Sequence, residues 1–220
     1  MTTTQRTRFF TAGAALAVVA LLVSGCTSSG SSSSSSPTPS FSGKVRIGVE
    51  GPITGDQAVT GEGMVNGAKL AAKELNAKGG INGKEVVIVP IDDKADPTAG
   101  VTAANAAIEQ GLDGVIGPYN SGVGVKTLPL YIDADLVPIR LTSNSSTNSL
   151  GYTLQPMDYQ IAPVASNGLV KFLKAKKVAI IYDSTALYTQ QIAKSLRKSL
   201  TAAGATTTAY IAISPGKSGY

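Results

Sequence analysis

From Lys44 onward the chain alternates short apolar, β-branched segments with longer amphipathic ones. That alternation narrows the fold to an α/β architecture, a parallel sheet covered by helices. Residues 44–50 (KVRIGVE) read as a buried parallel strand closed by Gly51-Pro52. After a small-residue loop over 51–61, Met64, Ala68, Ala71 and Leu75 recur three and four apart, which predicts a helix with those residues as its buried face. Gly79-Gly80 ends that helix, and Asn82-Gly83 turns the chain into a strand over 85–91. Asp96-Pro97 opens a second helix, with a carboxylate at the N-cap and proline at the first helical position. It runs to about Gln110, and residues 112–116 make the third strand.

A helix over 123–134 follows, with Pro129 bending it, then a strand over 136–141 made imperfect by Pro138. Residues 142–149 (TSNSSTNS) are a polar loop, 152–154 a short extended piece, and 155–158 a crossover. The alternation then starts again: helix 159–175, strand 177–182, loop 183–187, helix 188–203 with Ile192, Leu196 and Leu200 on one face, and strand 206–213. Two runs imply two Rossmann-like lobes, 44–156 and 157–220, with a ligand cleft beyond the carboxyl ends of their strands. The second run holds only two strands, too few for a stable sheet. The sequence therefore reads as a fragment whose second lobe is incomplete.

Ahead of the lobes, residues 1–25 form a leader: Arg6 and Arg8 precede an apolar run over 12–23 that is too short to be a comfortable permanent span. It ends Leu22-Val23-Ser24-Gly25-Cys26, similar to a bacterial lipobox, in which the cysteine becomes the lipidated N-terminus. Residues 26–43 are a Ser/Thr/Pro-rich tether between that anchor and the folded body. Cys26 is the single cysteine, so no disulfide forms within the chain. The reading is an extracytoplasmic protein held to the membrane at Cys26.

Composition removes several classes of function. There is no histidine, which excludes Ser-His-Asp and Cys-His catalysis and histidine-based zinc sites. The net charge is +5, two units of which leave with Arg6 and Arg8, and the remaining lysines are scattered except at Lys174-Ala175-Lys176-Lys177. Nucleic acid is thus not an expected partner. Asp92-Asp93 reads as a capping or hinge acid beside a solvated neighbour rather than as a metal site. Gly61, Gly63 and Gly67 stand at the wrong spacing and too far from the first strand for a dinucleotide fingerprint. No metal, cofactor or catalytic residue is expected.

What remains is binding. Val115-Ile116-Gly117-Pro118-Tyr119-Asn120-Ser121-Gly122 takes the third strand through a small-residue turn into a helix. The free N–H groups of that helix start suit a carboxylate or phosphate. Ser121, at the expected N-cap, either caps its own helix or reaches a ligand. Thr142 and Asn144 offer hydroxyl, amide and carbonyl groups to an ammonium, or else form side-chain turns in their loop. Tyr119 and Tyr188 supply apolar walls with polar tips, and Asn120 joins them.

These segments resemble the leucine/isoleucine/valine-type solute-binding proteins of bacterial ABC importers, of the periplasmic-binding-protein type I fold. The resemblance is carried by Gly51-Pro52-Ile53-Thr54-Gly55, by Asn76-Ala77-Lys78-Gly79-Gly80-Ile81-Asn82-Gly83, by Asp92-Asp93 with Asp96-Pro97, and by Val115-Ile116-Gly117-Pro118 and Thr142-Ser143-Asn144. It implies a non-catalytic, two-lobed binder that closes on an amino acid or similar small polar solute and docks on an ABC permease. In that family Ser121 looks like the residue that takes the ligand carboxylate, Thr142 and Asn144 the pair that meets its ammonium, and Tyr188 the aromatic that closes from the second lobe. A sensory lipoprotein of the same fold is the alternative. Thr60 stands where such proteins often carry an aromatic, and the acid that pairs with an ammonium comes from a later part of the second lobe.

Overall fold

A computed structural model describes residues 39–216, so the leader, most of the tether and Cys26 lie outside the described residues. The alternation resolves into seven strands and five α-helices among the described residues: β1 (Lys44–Gly51), α1 (Ala58–Ala77), β2 (Glu85–Asp92), α2 (Pro97–Glu109), β3 (Gly114–Ile116), α3 (Ser121–Asp133), β4 (Ile139–Arg140), β5 (Tyr152–Thr153), α4 (Asp158–Asn167), β6 (Lys177–Asp183), α5 (Leu187–Ala202) and β7 (Thr206–Ile213). The first five strands form one sheet in the order β2-β1-β3-β4-β5, and β6 pairs with β7 in a second. Every pairing is parallel, as the continuous apolar strands required. All described residues belong to one unit, Pro37–Tyr220.

The first core gathers Ala104, Val115, Tyr131 and Leu136, and the second Ile180, Ala193, Leu200 and Ala205. On α5 the stripe read from the sequence turns slightly: Leu200 is fully buried and Leu196 packs on the core, with Ala193 as the innermost residue of the preceding turns. On α1 the correction is larger. Gly61, Val65 and Ala72 are buried, whereas Ala71 and Leu75 face outward. A polar contact sets this rotation. Asn76 Nδ2 donates to the Val86 carbonyl at 2.9 Å, and the Val86 N–H donates to Asn76 Oδ1 at 2.7 Å. β2 is an edge strand, and Asn76 satisfies the outward-facing backbone of its buried Val86. Asn76→Ala is therefore expected to cost about 2–3 kcal/mol in urea denaturation, since it strands two strand-edge groups at once.

Other boundaries move for identifiable reasons. Asp96 caps α2 as expected, accepting from Thr98 and Ala99 N–H at 2.9 and 2.7 Å. α3 begins earlier than the apolar pattern suggested, at Ser121. β4 shrinks to two residues because Pro138 cannot donate to a ladder and Val137 is exposed. The helix expected over 159–175 stays α-helical only to Asn167, passes through a π-helical stretch at Gly168–Phe172, and stops at Lys174 with φ +58°. Of the pair Asp92-Asp93, the more exposed member is Asp92, and Asp93 is fully buried. Asp92 accepts from the N–H groups of Ile53, Thr54 and Lys94 and from the Thr54 hydroxyl, which ties down the loop after β1.

Candidate functional site

The carboxyl ends of β3, β4 and β6 open onto a cleft of about 420 Å³. Its first-lobe wall carries Tyr119, Asn120, Ser121 and Gly122 from the β3–α3 turn, then Leu141, Ser143 and Gln155; Gln57 closes one side. Its second-lobe wall is the segment from Asp183 through Thr189, including Tyr188.

The β3–α3 turn owes its shape to Gly117. Its φ is +108°, and a Cβ there would stand 2.2 Å from the Glu50 carbonyl oxygen. Glycine alone lets the two strand ends approach this closely. The turn delivers Asn120, not Ser121, to the N-cap of α3, and Asn120 does not cap; its Nδ2 donates to Gln57 Oε1 at 3.1 Å. Ser121 sits one place into the helix, nearly buried, with a hydroxyl that bonds no other described residue. The first intrahelical bond runs from Gly124 N–H to the Asn120 carbonyl at 2.9 Å, leaving the N–H groups of Ser121, Gly122 and Val123 without helical partners.

Of the expected site residues, the cleft thus brings together Tyr119, Asn120, Ser121 and Tyr188. Thr142 and Asn144 lie behind its wall, fully or almost fully buried. Thr142 Oγ1 pairs with Thr147 Oγ1 at 3.0 Å, and Asn144 Oδ1 accepts from Ser146 N–H at 2.9 Å, capping a one-turn 3₁₀ helix. Arg140, Thr142 and Asn144 are buried behind the wall, Leu141 is half-buried, and Ser143, itself only 2% exposed, lines the cleft together with Leu141. Gln155 holds these two through the Leu141 carbonyl and through Ser143 Oγ at 2.6 Å.

Sequence reasoning missed Asp183, the single carboxylate on the cleft wall among the described residues. Its Oδ1 accepts from the Thr185 N–H and hydroxyl, both at 2.7 Å. It also missed a buried acidic pair beneath the β1 and β2 ends. Glu50 is fully buried, with Oε2 accepting from Thr127 at 3.2 Å. Glu50 Oε1 and Asp93 Oδ2 meet no donor in hydrogen-bond geometry among the described residues, and the Tyr131 hydroxyl lies beside Glu50 without completing such a bond. Burial, reinforced by the charge of Asp93, pushes Glu50 up to about 8 against the pull of the Thr127 and Tyr131 hydroxyls. Burial lifts Asp93 to about 6; the Ala95 N–H opposes this and the charge of Asp92 adds to it. Burial is the largest single influence on Asp92 and raises it, but the Thr54 hydroxyl and the N–H groups of Thr54, Lys94 and Ile53 together outweigh it and hold Asp92 below the ordinary carboxylate range.

The arrangement is two α/β lobes facing a polar cleft, with unpaired helix N–H groups on one wall and an acid on the other. A family model of periplasmic binding proteins matches residues 44–220. The chain belongs to that family, and the resemblance read from its sequence holds. It is 35% identical over 185 residues to the Leu/Ile/Val-binding protein BraC3 of Rhizobium johnstonii, covering 81% of this chain and 50% of that one. It is 34% identical over 178 residues to a Leu/Ile/Val-binding protein homolog of Brucella abortus, covering 79% and 48%. Among solved structures it is similar to the branched-chain amino acid transporter substrate-binding protein LivJ of Streptococcus pneumoniae in complex with isoleucine. The TM-score is 0.70 at 27% identity, over 80% of this chain and 51% of that one. A Rhodopseudomonas palustris solute-binding protein in complex with 4-hydroxybenzoate, 19% identical with a TM-score of 0.69, shares the fold. The chain spans about half the length of the curated relatives it matches.

Proposed function

We propose that this chain is the extracytoplasmic solute-binding component of an ABC importer, and that it holds an amino acid or similar small polar solute without transforming it. The observation that carries the reading is the free start of α3. Three N–H groups and the unpaired Ser121 hydroxyl stand on the cleft wall, where the helix dipole favours a carboxylate. Tyr119, Asn120 and Tyr188 flank the same space, and Asp183 lines the wall opposite. Thr142 and Asn144 act from behind, by fixing the loop that presents Ser143. Closure follows when a solute touches both walls, residues 44–156 forming one lobe and 157–220 the start of the other. The permease is the docking partner, and Cys26 carries the lipid that keeps the protein at the membrane.

Thermal denaturation against a panel of amino acids, amides and small carboxylates tests the reading, since a bound solute raises the midpoint with concentration. Stabilisation by at least one zwitterion is expected; none from any member overturns it. With that solute, Ser121→Ala is expected to weaken binding by about 1–2 kcal/mol, the worth of one hydrogen bond to a charged group. Unchanged affinity in a calorimetric titration would remove the hydroxyl from the site.

A further inference from the structure

Arg140 ends β4 with 1% of its surface exposed, and no carboxylate among the described residues pairs with it. Its Nη1 donates to the Thr142 carbonyl at 2.7 Å, to Thr147 Oγ1 at 3.2 Å and to Thr142 Oγ1 at 3.3 Å, and lies 3.5 Å from Met157 Sδ. Its Nη2 reaches the Asn148 carbonyl at 3.4 Å, and Nε has no partner. A buried cation with only neutral acceptors is an expensive way to fill a core, and an apolar side chain of similar length would fill it at lower cost. Its partners tell what the expense maintains. Thr142 opens the loop behind the cleft, Thr147 and Asn148 close it, and Met157 is the N-cap of α4, where the second lobe begins. Within that clamp Thr147 Oγ1 donates to the Asn144 carbonyl at 2.7 Å. Asp158 N–H donates to the Ser143 carbonyl at 2.9 Å, and Asp158 Oδ2 accepts from Ser145 N–H at 3.0 Å.

We propose that Arg140 is a positioning residue for the cleft: from below the wall it fixes both ends of the 141–148 loop against the start of α4, so that Leu141 and Ser143 face the solute. This rests on the cleft being the solute site. The guanidinium supplies several donors in one plane, which is what a loop with its carbonyls turned inward needs. Arg140 is not among the residues that line the cleft.

The test compares the 220-residue chain with Arg140→Met and Arg140→Lys in three measurements: thermal midpoint, amide hydrogen exchange and leucine titration. Arg140→Met fills the space without donors. It is expected to keep or raise the midpoint while the amides of Ser145, Ser146, Thr147 and Asn148 exchange at least tenfold faster and those of β6 and β7 are unchanged. The Kd for leucine is expected to rise at least tenfold. Arg140→Lys returns a donor near the Nη1 position and is expected to restore at least half of the loop protection. Unchanged loop protection in Arg140→Met overturns the proposal. So does a loss of midpoint with uniformly faster exchange in both sheets, the signature of a purely structural role. Should Arg140→Met fail to fold, Arg140→Lys decides: loop protection lost together with that of β6 and β7 overturns the assignment, and loop protection retained supports it. Leucine that leaves the unaltered protein untouched counts against amino-acid binding, and the exchange data then decide the role of Arg140 by themselves.

Discussion

Gly117→Ala is expected to remove about 3 kcal/mol or more of folding free energy, a large share of what a domain of this size possesses. Two independent costs add. At φ +108° a Cβ is strained whatever surrounds it, and this one would lie 2.2 Å from the Glu50 carbonyl oxygen and 3.2 Å from the Glu50 Cβ. Neither neighbour is a flexible side-chain end, so β1 and β3 would have to separate. The same turn is anchored by Gly117 N–H to the Ile139 carbonyl at 2.9 Å and by Leu141 N–H to the Pro118 carbonyl at 3.1 Å. Relief of the clash would therefore drag the Tyr119–Ser121 wall with it. Urea denaturation measures the loss; a change below about 1 kcal/mol would contradict the close approach.

Glu50→Gln is expected to act in the opposite direction. A carboxyl whose pKa rises on folding favours the protonated form in the folded state. Its contribution is fully present below the unfolded value of 4.5 and is lost as pH climbs through the folded value of about 8. At pH 7 that shift costs the folded state roughly 3 kcal/mol, with the Asp93 pair adding to the same trend. Glutamine keeps the shape and cannot ionise. The thermal midpoint should rise by roughly 5–10 °C at pH 7–8 and hardly change near pH 4.5. A lower midpoint at pH 8 would mean that Glu50 is ionised and held by a partner, against the reading given above.

These outcomes bear on what a linear sequence reveals. The order of strands and helices was legible because burial imposes periods of two and 3.6 along a single segment. The capping of α2 was legible too, since Asp96-Pro97 is a local signal. What escaped depends on distant partners. Glu50 read as the last residue of a strand, and nothing near it says that Thr127, 77 residues later, covers it. On α1 a hydrophobic stripe through Leu75 competed with a polar one through Asn76, and the edge of β2 decided between them. At the fourth strand the sequence singled out Thr142 and Asn144, which are buried, whereas Leu141 and Ser143 are the residues that line the cleft. Thr142 and Asn144 have the chemistry of ligand groups, and which of their groups are used within the loop depends on Arg140, Thr147 and Ser146, whose contacts no spacing announces. A buried arginine without an acid has no signature in composition or spacing.

The account stands most directly on an amide chemical-shift titration of the chain with leucine and with isoleucine. It predicts saturable shifts at Ser121, Gly122 and Val123 together with shifts between Thr185 and Thr189, all following one Kd, with the solute recovered chemically unchanged. Shifts confined to one wall, none at the start of α3, or a solute altered during the titration would contradict it.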